Sequence, residues 1–160
     1  MKLRRGEGGV TLIEIAVVMA IVAIMALFLA PAIGEWVDNF RIKQTAREIV
    51  STLQLAKMKA IARQLEYNVV FDVDNNTFQQ ERNDPSLGWT PEGGVNKVPR
   101  GVDIDTNLAS ETFQFNPNGT CSNGSITIDN NQGKQYKVVV YYTGRIRRER
   151  LDRALSRFKG

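Results

Sequence analysis

Residues 15–33 read IAVVMAIVAIMALFLAPAI, an apolar run without one charged side chain. Immediately upstream, Val10-Thr11-Leu12-Ile13-Glu14 lengthens the run and adds a single carboxylate, Glu14. The hydrocarbon core of a bilayer is about 30 Å thick and takes roughly 20 apolar helical residues to cross. The stretch therefore has the length of a transmembrane helix. A buried core helix that long would need most of a 160-residue chain wrapped around it. Lys2, Arg4 and Arg5 precede the run, whereas Glu35 and Asp38 follow it. The positive-inside rule keeps such an N-terminus cytoplasmic and exports the remainder. An ordinary secretory signal is the competing reading, but the run exceeds the usual 7–15-residue apolar region by about half. Ala30-Pro31-Ala32 is also a poor peptidase site.

Working outward, the composition is 42% hydrophobic and 24% charged, which excludes collagen, a disulfide framework and wholesale disorder. The chain has no histidine, so Ser-His-Asp and Cys-His catalysis and His-ligated zinc are excluded. Cys121 is the only cysteine and cannot form an intrachain disulfide. With no phosphate-binding glycine loop either, the sequence reads as a non-enzyme, with no catalytic residues, cofactor or metal.

The segment Gly8-Gly9-Val10-Thr11-Leu12-Ile13-Glu14 resembles the export signal of type IV pilins and type II secretion pseudopilins. The resemblance implies that a prepilin peptidase cuts between Gly9 and Val10, releases the basic leader MKLRRGEGG and methylates the new amine on Val10. Thr11 to Glu14 match the family position by position, whereas Val10 stands where phenylalanine is most frequent. Pro31 falls where many members carry a helix-bending proline. A carboxylate in a membrane helix costs about 2.5–3.5 kcal/mol at the centre and less near an edge, so Glu14 requires a reason to be there. Cleavage supplies one: the freed amine of a neighbouring subunit can pair with Glu14 and set the axial stagger of a filament. The plain alternative is that Glu14 snorkels to the interface.

After Gly34 the chain turns polar but keeps a helical pattern. Ala46, Ile49, Val50, Leu53, Ala56 and Ala60 follow i, i+3, i+4 spacing. One amphipathic helix is expected from Glu35 to Arg63, continuous with the apolar segment and about 80 Å long in all. Pro31 predicts a bend, since it removes a backbone hydrogen bond; it alternatively marks only the boundary of the span. The remainder reads as β-structure. Strands are expected at Tyr67–Val73, Thr77–Glu81, Val102–Asp105, Thr112–Asn116, Ser125–Asp129 and Tyr136–Thr143, with a long surface loop over 83–101. The fold class is α+β: a long N-terminal helix packed on a C-terminal antiparallel β-domain. The expected organisation is a leader (1–9), a membrane or filament-core helix (10–34), an amphipathic helix (35–65), a periplasmic β-domain (66–144) and a basic tail (145–160).

The second half resembles the GspH/FimT family of minor pseudopilins and minor pilins. The resemblance rests on Phe115-x-Pro117-x-Gly119, Gly124-Ser125-Ile126, the strand Tyr136–Val140 and Gly144-Arg145-Ile146-Arg147. It implies an inner-membrane subunit with a periplasmic C-terminal domain, whose partners are other pilins in a filament. In the FimT branch the Gly-Arg-x-Arg pattern is implicated in DNA uptake, which here singles out Arg145 and Arg147, with Arg148 and Arg150 beside them.

Charge is split along the chain. Residues 66–129 hold ten acids and three bases, whereas residues 145–160 hold seven bases and two acids. The basic segment serves either as a phosphate-binding site or as an internal partner for the acidic domain. The spacing of Ile146, Leu151, Leu155 and Phe158 predicts a short helix there. Asp72/Asp74 and Asp103/Asp105 are i, i+2 pairs read as solvated surface rather than calcium ligands, and Cys121 is read as an incidental thiol in a turn.

Overall fold

The computed structural model describes residues 11–130 and 132–151, and of residues 27–33 the backbone alone. The proposed cleavage point at Gly9 and Val10, the leader and residues 152–160 lie outside the described residues. Among the described residues the elements are one helix, α1 (Leu12–Arg63), followed by nine strands: β1 (Tyr67–Asp72), β2 (Thr77–Asp84), β3 (Gly88–Pro91), β4 (Asn96–Lys97), β5 (Val102–Thr106), β6 (Thr112–Phe115), β7 (Gly124–Asn130), β8 (Gln135–Val140) and β9 (Ile146–Leu151). The chain forms two compact units, dividing between Val37 and Asp38.

In the first unit, α1 starts at Leu12 and its assigned range runs through Pro31. Every residue from Thr11 to Ala26 is exposed, including Leu12 at 88% and Ile13 at 72%. A helix that is apolar all round calls for an apolar surrounding on every side. Among the described residues, no helix is long and apolar enough to cross a membrane. The fully described apolar part stops at Ala26, while the apolar sequence continues to Ile33.

The second unit is the α+β body. The stripe read from the sequence is its helical core face: Ala46, Ile49, Leu53, Ala56 and Ala60 are fully buried, Val50 is partly so, and Ile42 and Thr45 join them. Thr45 is tolerated there because its hydroxyl donates to the Arg41 carbonyl at 3.0 Å. The helix stops where Gln64 takes φ 54°, a left-handed C-terminal cap.

Two antiparallel sheets share the core with this face. The first has the order β3-β2-β1-β6, with β4 also pairing β2; the second has the order β5-β7-β8-β9. Tyr67, Val69 and Phe71 of β1 and Phe113 and Phe115 of β6 point inward from the first sheet. Phe71 stacks on Phe78 at 5.7 Å and meets Phe113 edge-on at 5.8 Å. Ile126, Ile128, Val138 and Val140 fill the second side. Alternation along these strands buries one face of each sheet, although Asn68 and Ser125 of the other faces are buried as well.

Two expectations are corrected. The stretch 83–101 is not one unbroken loop, because Gly88–Pro91 pairs with β2, from Asp84 opposite Gly88 to Glu81 opposite Pro91. The proline and glycine signals mark the turns around this short strand. Residues 146–151 are not helical. They pair in register with β8, from Val140 opposite Ile146 to Gln135 opposite Leu151. The turn at Tyr141–Gly144 returns the chain antiparallel, and this ladder overrides the helical spacing.

Candidate functional site

The sequence singles out two places, the head of α1 and the Gly144–Arg150 segment. At the head, Thr11 is the N-cap. Its hydroxyl accepts from the Glu14 backbone N–H at 3.3 Å, and its carbonyl accepts from the same N–H at 3.1 Å and from Ile15 at 3.3 Å. Thr11-x-x-Glu14 is the spacing of a capping box, and a carboxylate in the first turn is favoured by the helix dipole. TLIE is thus also a local helix-start signal, beside the export and filament roles that the resemblance implies for it. Gly9 and Val10 lie outside the described residues, and so does the side chain of Pro31.

The basic segment is a β-hairpin arm. Tyr141 N–H donates to the Arg145 carbonyl at 2.9 Å, and Gly144 N–H to the Tyr141 carbonyl at 2.8 Å, closing the turn between β8 and β9. The period of two places Arg145 and Arg147 on one face and Arg148 and Arg150 on the other. The four arginines therefore do not converge on a single point. Arg147 pairs with Glu149 at 3.3 Å, and Arg148 lies over the Tyr136 ring at 5.9 Å. Arg145 lines an open groove of about 330 Å³ with Tyr141, Tyr142, Thr143 and Asn123.

The hairpin turn is fastened from below by residues the sequence did not point to. Lys57 Nζ on α1 donates to the Gly144 carbonyl at 2.9 Å. Gly144 has φ +73°, and a Cβ there would collide with the Gly119 carbonyl oxygen and the end of Lys57. The glycine of the Gly-Arg-x-Arg pattern is required for this close approach. Cys121 sits in the same knot: its N–H donates to the Tyr142 carbonyl at 3.0 Å and its thiol to the Tyr141 carbonyl at 3.1 Å. It is buried and bridged to Phe115 rather than lying in an open turn. Burial pushes its pKa up, against smaller lowering effects from Gly144 and Lys57, so it is a poor nucleophile.

A second fastening ties α1 to the first sheet. Glu92, just past β3, takes Lys59 at 2.8 Å, Arg63 at 2.9 Å and the Tyr67 hydroxyl at 2.9 Å. Burial alone would raise the Glu92 carboxyl, but hydrogen bonds from Lys59 and Tyr67 and the charges of Lys59 and Arg63 outweigh it and hold the pKa below its usual value. Tyr67 is pushed up by burial and by the adjoining carboxylate. The acidic pairs serve local structure: Asp72 accepts from Asn75, and Asp103 from Asn76. Among the described residues, no three potential ligands gather into a metal site.

The family described as type II transport protein GspH matches residues 45–144, and the prokaryotic N-terminal methylation motif matches residues 4–30. None of the curated proteins matches the sequence. Among solved structures, the chain is similar to the minor pseudopilin EpsH of the Vibrio cholerae type 2 secretion system. The TM-score is 0.63 at 18% identity, over 69% of this chain and 97% of that one. It is also similar to the type IV minor pilin FimU of Pseudomonas aeruginosa, with a TM-score of 0.57 at 18% identity, over 68% and 87% of the two chains. These likenesses establish the pilin-like α+β fold, and the match over 45–144 establishes the lineage: the chain belongs to the GspH family and carries the N-terminal methylation motif.

Proposed function

We propose that the protein is a minor subunit of a type II secretion pseudopilus or a type IV pilus, held in the inner membrane before assembly. It is a structural component and not an enzyme. The observation that carries this reading is the presence, in one chain, of a methylation motif over 4–30 and a GspH body over 45–144. On this reading residues 1–9 are the leader, 10–34 the membrane and filament-core helix, and 66–144 the periplasmic domain. Prepilin peptidase cuts between Gly9 and Val10 and methylates Val10. Glu14 accepts a neighbouring subunit's amine, and Pro31 gives the helix a place to bend.

Coexpression with a prepilin peptidase should shorten the chain by residues 1–9, read by intact mass, and a bulky replacement of Gly9 should slow the step. A new N-terminus at Ile33 would instead identify an ordinary secreted protein. Glu14→Ala should insert in the membrane and fail to enter filaments; incorporation at the wild-type level would remove the role of Glu14.

A second reading is DNA binding through Arg145, Arg147, Arg148 and Arg150. The observation that favours it is the open groove in which Arg145 lies beside exposed Tyr141 and Tyr142, a cation next to stacking surfaces. It requires weak, sequence-indifferent binding of duplex DNA whose log–log salt slope is about −0.9 per phosphate contact. An electrophoretic titration at two salt concentrations decides it.

A further inference from the structure

The exposed sheet edges are treated unequally. At β5 the chain satisfies its own donors: Val102 N–H reaches the Pro99 carbonyl, Ile104 N–H the Asn76 side-chain oxygen, and Thr106 N–H the Asp105 carboxylate. At β6, Gln114 N–H is taken by the Ser122 hydroxyl, and Ser122 returns a bond to the Gln114 carbonyl. β3 is short and ends in Pro91. Such devices keep sheets from pairing with other chains.

β9 differs at two of its residues. The Tyr141–Arg145 bond fixes which residues face β8, so by the period of two the backbones of Ile146 and Arg148 turn outward. No described residue bonds either of those backbone N–H groups. Beside this edge, against α1, lie two adjoining hollows of about 280 and 320 Å³ that share Gln54. Met58, Ile61 and Ile146 give the first its apolar wall. Arg47 and Arg148 face the second, and neither has a carboxylate partner among the described residues.

We infer that the β9 edge is a docking site for an extended acidic segment of a neighbouring pilin subunit, which adds to the second sheet as a fifth strand. Its backbone bonds Ile146 and Arg148; on the face it turns to α1, an acidic side chain enters between Arg47 and Arg148 and an apolar one two residues away reaches Met58 and Ile61. Residues 152–160 of the same chain match the hollow poorly in charge, with Arg153, Arg157 and Lys159 against the single acid Asp152. The inference rests on the filament-subunit reading for the source of the strand.

The test uses the purified full chain in detergent micelles and a fluorescent synthetic peptide of the repeat Glu-Thr-Val-Thr, which sets glutamate and valine two residues apart on one face. A control peptide carries N-methyl groups on alternate backbone nitrogens, which abolish strand pairing and keep the charge. The wild type should bind the first peptide about tenfold more tightly than the second. Arg148→Pro removes an outward N–H and leaves the β8 ladder intact, so it should lower affinity about tenfold without moving the thermal melt by more than a few degrees. Should that variant misfold, Arg47→Glu with Arg148→Glu should lose the glutamate peptide and gain one with lysine in place of glutamate. Equal binding of the two glutamate peptides, or none by the wild type, overturns the proposal. Displacement by duplex DNA at matched charge makes a polynucleotide the occupant and also overturns it. So does binding seen only after removal of 152–160, which makes the chain's own tail the occupant. Because no filament enters the titration, its failure is distinct from failure to be processed or assembled.

Discussion

The two parts of α1 obey the same backbone geometry and face opposite demands. Between Thr11 and Ala26 every side chain is exposed and nearly all are apolar; between Ile42 and Ala60 one stripe is buried and the rest is polar or mixed. Hydrogen bonding within the helix is satisfied in both. The difference lies in the solvent each part is written for: a surrounding that is apolar on all sides, or water on one side and two sheets on the other. One helix therefore carries two stability problems, and among the described residues only the second is solved.

The sharpest way to test the contrast is a matched pair of truncations. Leu53→Ala removes a fully buried side chain and should cost roughly 2–5 kcal/mol. Val18→Ala, at an exposed position, should leave the thermal melt of the body unchanged. Equal shifts in calorimetry would erase the distinction. Gly144→Ala comes next, because the added carbon meets the Gly119 carbonyl in a left-handed backbone; a loss of about 1–3 kcal/mol is expected, read from denaturant midpoints.

Glu92→Gln should be milder at neutral pH, about 1–1.5 kcal/mol, since the charge-assisted hydrogen bonds to Lys59 and Arg63 weaken but are not all lost. The folded pKa of Glu92 is depressed, so its contribution is complete above the unfolded value and fades as pH falls through the folded one. The gap between wild type and variant should therefore narrow in acid, below about pH 4.5; a gap that widens there would contradict the arrangement. Smallest of all, Arg145→Gln with Arg147→Gln should change stability by about 0.5 kcal/mol or less, because both side chains are exposed. A larger loss would show that the hairpin arm is held by its charges rather than by its ladder.

Much of this was legible in the sequence. The helical stripe from Ala46 to Ala60 was, because a 3.6-residue period over several turns has few other readings. The strands with aromatic and β-branched residues were also legible, to within a residue or three at their ends. β9 was not, because RIRRERL contains few strand-forming residues and its pairing is imposed by the hairpin with β8. The short strand β3 was hidden for a similar reason, behind the glycines and prolines of its own turns. TLIE marked Glu14 as a candidate and their density marked the arginines. The meeting of Lys57, Gly119 and Cys121 at Gly144 was not marked, since it joins chain segments far apart in sequence.

That meeting also gives the molecule an internal reporter. With one cysteine in the whole chain and its thiol buried under the Tyr141–Gly144 turn, thiol reagents in native buffer should react with it slowly unless the knot opens. The labelling rate of Cys121 then measures the opening free energy of the hairpin arm directly, in the manner of amide hydrogen exchange. A strand docked on β9 should slow that rate, so a single unmodified sulfur can register occupancy at an edge it never touches.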